Sequence, residues 1–122
     1  MLSLPHGRIL LVIGWILIAA TIYGSLAPEL PSLGLGTGDK VRHFLGYFIV
    51  MAWFSGLYPR ERHALLAVAF LLMGAALEAL QGALTTTRDM DLFDLVMNAL
   101  GIATAYLLAR LGLANWARRL DR

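Results

Sequence analysis

The chain has 122 residues, 59% of them hydrophobic and 15% charged, with a mean hydropathy of +0.71. Soluble domains carry about 25% charged residues, so this composition excludes a soluble enzyme with a large core, a disordered chain and a second folded domain. Of 10 Lys+Arg and 8 Asp+Glu, the basic residues lie at the ends of apolar stretches, which argues for membrane anchoring and against nucleic-acid binding.

Residues 9–26 form the first predicted span and hold no Asp, Glu, Lys, Arg or His. This stretch exceeds the ~7–15 residues of a signal-peptide core, and Pro28 disfavours cleavage after Ser25-Leu26-Ala27. An uncleaved anchor is expected. Pro28 and Pro31, followed by Gly34, Gly36 and Gly38, then mark a loop.

The second span covers about residues 41–58 and takes Arg42 and His43 into its first turn. The third, 64–84, carries one carboxylate, Glu78. The fourth, 92–111, carries Asp94 and Asn98. With no strand alternation and short connections, the expected fold is an all-α membrane protein. It is a bundle of four transmembrane helices with neighbours antiparallel, one domain over residues 1–122.

Charge asymmetry orients this bundle. Arg8, Arg60, Arg62, Arg110, Arg118, Arg119 and Arg122 fall on one side, while Lys40, Arg42 and Arg88 fall on the other. The positive-inside rule places both termini in the cytoplasm. The polar groups of spans two to four then share one depth near the extracytoplasmic surface. Glu78 lies roughly 10 Å below the outer end of its helix, and Asn98 about 6 Å below Asp94.

Helical spacing groups these residues into stripes. Asp39, His43, Gly46 and Tyr47 share a face, as do Glu78 and Gln81, and so do Asp91, Asp94, Asn98 and Gly101. Each has an ordinary structural explanation. Lys40 and Arg42 can anchor at headgroups, and Tyr47 can belong to an interfacial belt. Asp89 and Asp91 can cap the fourth helix, while Gln81 and Asn98 can bond between helices. Glu78, Asp94, His43 and Arg88 can form a purely structural ion-pair cluster. Their convergence at one level favours a site.

At these positions the sequence resembles the VanZ-like membrane family, linked to tolerance of the glycopeptide antibiotic teicoplanin. The family pattern is D-K-x-x-H-x-x-x-Y, then E-x-x-Q, an Arg, and D-x-x-x-N-x-x-G. Asp39, Lys40, His43 and Tyr47 match the first element, and Glu78 and Gln81 the second. Arg88 follows, then Asp94, Asn98 and Gly101. The resemblance implies a bacterial cytoplasmic membrane protein of the cell envelope, in a family whose biochemical activity is not settled.

Two functions compete. In the first, the cluster is an enzyme-like site for a membrane lipid or a lipid-linked envelope precursor. His43 or Glu78 would serve as general acid or base, with Asp94 orienting His43 or Arg88. Lys40 and Arg88 would hold phosphate or carboxylate groups. Asp39, Tyr47, Gln81 and Asn98 would complete the binding set. In the second, the protein is a non-catalytic binding or accessory component of the envelope machinery. A proton-coupled transporter fits less well, because the inner half of the spans has no ionisable group. No cofactor is expected. A metal site would use His43, Glu78 and Asp94, but a single histidine with no H-x-x-x-H or H-x-x-E spacing argues against it, and no metal is expected.

Overall fold

The computed structural model describes residues 6–26, 38–84 and 92–119, with the side chains of all but 25–26, 38–40, 81–82, 84, 92 and 118–119. The protein is all-helical: among the described residues no strand forms. Four long helices, α1 (Gly7–Leu26), α2 (Gly38–Leu57), α3 (His63–Leu84) and α4 (Leu92–Arg110), are followed by a short α5 (Trp116–Arg119).

Three stretches are long and apolar enough to cross a membrane: Gly7–Gly24, Arg60–Leu80 and Phe93–Arg110. Their outward faces are as apolar as their inward ones. Ile9, Val12 and Ile16 on α1, Leu65, Val68 and Leu72 on α3, and Val96, Leu100 and Leu107 on α4 are all exposed. Helices apolar all round fit lipid, not water.

The apolar part of α2, Val41–Leu57, is shorter. At 1.5 Å per residue it extends roughly 25 Å, short of a ~30 Å hydrocarbon core. Its position compensates, for α2 is the central helix. Tyr47, Val50, Met51, Phe54 and Leu57 are buried along one stripe, and most join Phe70 of α3 with Ile102 and Ala105 of α4 in the main core.

The most extensive interface lies between α2 and α4, which are not consecutive in the chain. His43 faces Asn98, Phe44 meets Gly101, and both sets of residue numbers rise together, so the two helices run parallel. Gly101 makes this approach possible. A Cβ there would strike the Phe44 carbonyl oxygen and lie 3.0 Å from the Phe48 nitrogen. α1 runs antiparallel to α2, with Trp53 Nε1 donating to the Leu10 carbonyl at 2.8 Å and Thr21 lying near Gly46.

Pro59 stops α2, because proline supplies no amide hydrogen. His63 then closes the helix end. Its Nε2–H donates to the carbonyls of Ser55 at 2.8 Å and Tyr58 at 3.1 Å, satisfying acceptors that a helix terminus leaves open. After α4 the chain reverses at Gly112, whose φ of 107° suits glycine. It brings Trp116 back onto α2. Trp116 Nε1 donates to the Ala52 carbonyl at 3.0 Å, and its ring packs on Trp53 with centroids 4.5 Å apart.

Candidate functional site

α2, α3 and α4 each turn one polar stripe into the bundle, at the end where α2 and α4 begin. His43 comes from the second turn of α2, Glu78 from α3, and Asp94 and Asn98 from the first two turns of α4. All four are buried, with 6% or less of each residue exposed. Small residues allow this convergence. A Cβ on Gly74 of α3 would sit 3.0 Å from Asn98 Nδ2 and 3.4 Å from the Tyr47 ring.

The site is organised around His43. Its Nδ1 lies 2.9 Å from Asn98 Oδ1. An amide oxygen only accepts, so Nδ1 carries the hydrogen and donates it. The opposite nitrogen, Nε2, lies 3.6 Å from Asp94 Oδ2. One ligating atom each from His43, Glu78 and Asp94 falls within 4.8 Å of the others. A protonated imidazole in this place makes an ion pair with the carboxylates, and a neutral one aims its lone pair at them. The protonated form can give up a proton, and the neutral form can accept one or bind a cation.

Tyr47, one turn along from His43, is buried beside Gly74 and Asn98. Asp39, Lys40 and Gln81 lie on α2 and α3 with side chains outside the described residues. Arg88, Asp89 and Asp91 fall outside them entirely.

The structure adds a feature the sequence did not signal. A cavity of about 250 Å³ opens between α1 and α2, lined by Leu17, Ala20, Thr21, Gly24, Ile49 and Val50. Arg42, His43, Gly46 and Tyr47 also line it, so this largely apolar space meets the polar cluster. Arg42, read from sequence as a headgroup anchor, therefore also contacts the cavity. Its spacing with Gly46 and Ile49, i, i+4 and i+7, was the available signal. The contribution of α1 had none, because Leu17, Ala20 and Thr21 look like any apolar span. Thr21 turns its hydroxyl back to the Leu17 carbonyl at 2.9 Å and leaves its methyl free to face apolar surroundings.

The His43–Asn98 bond is checkable by mutation. Asn98→Ala leaves a buried imidazole N–H without its acceptor, at a cost of about 1–3 kcal/mol. The variant is expected to melt earlier than wild type in detergent, and Asn98→Asp, which keeps an oxygen acceptor, is expected to recover part of the loss. Equal melting of Asn98→Ala and wild type would contradict the bond.

No family model and no solved structure matches the chain. The chain is 33% identical over 97 residues to an uncharacterized protein of Schizosaccharomyces pombe. That match covers 76% of this chain and 57% of the relative, so the chain spans little more than half the relative's length. The relative's name carries no activity.

Proposed function

We propose that this is a multi-pass membrane protein with both termini in the cytoplasm. Its buried polar cluster receives the headgroup of an anionic membrane lipid, or of a lipid-linked envelope precursor, from the outer leaflet. The observation that carries this reading is the cavity between α1 and α2. Apolar walls at Leu17, Ala20, Ile49 and Val50 suit an acyl or prenyl chain, and Arg42 and His43 at the same cavity suit a phosphate. The seven-to-three distribution of Lys and Arg supports the orientation.

On this reading Arg42 holds the headgroup together with Lys40 and Arg88, and His43 supplies or accepts a proton beside Glu78 and Asp94. The VanZ-like motif residues add the expectation of a cell-envelope role and of a link to glycopeptide tolerance. A second reading, a non-catalytic accessory protein with a structural cluster, draws support from the near-complete burial of Glu78 and Asn98.

Lipid retention tests the proposal. Native mass spectrometry of the protein released from detergent is expected to show a co-purifying anionic lipid. Among the described residues, a Cβ at Gly46 would have only Thr21 Oγ1 nearby, at 3.9 Å, so Gly46→Leu extends into the cavity without breaking the helix. This variant should accumulate normally and lose the lipid. Arg42→Gln removes one charge-assisted contact and should weaken retention about tenfold. Equal retention by wild type and Gly46→Leu would defeat the reading, as would a lipid-free wild type.

A further inference from the structure

Three helices deliver one imidazole and two carboxylates to a single buried point, and the distances between them are informative. His43 Nε2 and Asp94 Oδ2 are 3.6 Å apart, too long for a hydrogen bond. Ligands bound at 2.0–2.2 Å around a tetrahedral metal ion stand about 3.3–3.6 Å from one another. Glu78 contributes the third atom; all three lie within 4.8 Å of each other, a wider spacing that a bound ion would draw in. His43 is also prepared as a ligand. Its Nδ1 hydrogen is held by Asn98 Oδ1 at 2.9 Å, which fixes the ring and turns Nε2 toward Asp94.

We infer that His43, Glu78 and Asp94 form a binding site for a first-row divalent metal ion, with Asn98 as the positioning residue behind His43. The donor set of one nitrogen and two carboxylate oxygens suits zinc, manganese or ferrous iron, whereas magnesium and calcium favour all-oxygen shells. Two carboxylates match the double positive charge, and burial shields the pairing from water. Three protein ligands leave a coordination position for an exogenous oxygen. His43 also lines the cavity beside Arg42, so the metal site adjoins the place where a phosphate would be held. The site stands on ligand geometry alone and does not depend on the lipid reading. Together the two describe a metal-anchored phosphate headgroup.

Zinc is the probe. The full chain is purified in detergent without a polyhistidine tag, stripped with chelator, and equilibrated with one equivalent of zinc. Elemental mass spectrometry is expected to find about one zinc per chain after desalting, and zinc is expected to raise the melting temperature. Glu78→Gln and Asp94→Asn should each lose the bound metal. Asn98→Ala should bind it roughly 10–100-fold more weakly. Thr104→Ala, whose exposed hydroxyl bonds back to its own helix at Leu100, should keep the metal. Folded wild type that retains no zinc, or retention by both carboxylate variants, overturns the inference. Should those variants fail to fold, the wild-type content and melting shift decide it. Zinc binding without lipid retention would leave the metal site standing and remove only the lipid reading.

Discussion

Gly101→Ala is expected to lower the stability of this protein by about 3 kcal/mol, the upper end for adding one carbon to a packed interface. The obstacle is main chain. A Cβ at this position collides with the Phe44 carbonyl oxygen and crowds the Phe48 nitrogen, neither of which escapes by a rotamer change. The helices must separate, and α2–α4 is the largest interface in the molecule. Asn98 lies one turn before Gly101, so the same displacement should loosen the His43–Asn98 bond and weaken zinc binding in parallel. Thermal melting in detergent, followed by tryptophan fluorescence, reads the effect. Gly24→Ala is the control, since among the described residues nothing lies within 4 Å of its Cβ position and alanine favours helix by roughly 0.5–1 kcal/mol. Equal melting of Gly101→Ala and wild type would mean that α2 and α4 do not approach this closely.

Trp116→Ala should cost about 3 kcal/mol, the lower end for deleting a packed tryptophan. The indole is half-buried, which keeps the figure at that end. It covers Gly56, stacks on Trp53 and donates to the Ala52 carbonyl. Trp53 in turn bonds to Leu10, so one aromatic pair ties the chain after α4 to both α1 and α2. Trp116→Phe keeps most of the packing and loses only the hydrogen bond, at about 1 kcal/mol. Melting should therefore fall in the order wild type, Trp116→Phe, Trp116→Ala. A Trp116→Ala protein as stable as wild type would show that the returning segment does not brace the bundle.

The helices themselves were legible in the sequence. Their predicted limits, 9–26, 41–58, 64–84 and 92–111, agree with the observed ones to within three residues, because each is bounded by charge, proline or glycine. The weakness of the second as a membrane span was visible too, in Arg42 and His43 near its start. The returning segment after α4 was not legible. Nothing in the sequence around Gly112, Trp116 and Ala117 signals a return to the bundle; the fit of Trp116 over Gly56 shows it.

For the site, spacing along single helices grouped His43 with Tyr47 and Asp94 with Asn98, since 3.6 residues per turn fixes which side chains share a face. His43, Glu78 and Asp94 were legible as the residues a metal would use, but spacing along one helix finds a lone histidine and argues against it. The tertiary structure is what brings one atom from each of three helices within 4.8 Å.

By itself, the sequence determined the all-helical class, the apolar surfaces suited to lipid, and the polar stripe on each of α2, α3 and α4. Those properties are local, set by hydropathy and helical period. Which stripes meet was decided by tertiary structure. Short connections favour consecutive antiparallel helices, yet the closest contact is the parallel pair α2 and α4, whose residues His43 and Asn98 stand 55 positions apart. The physical reason is steric. The backbones of α2 and α4 come together where Gly101 lacks a side chain, which joins His43 to Asp94. Gly74 lets α3 add Glu78, so that an imidazole and two carboxylates fall within 4.8 Å.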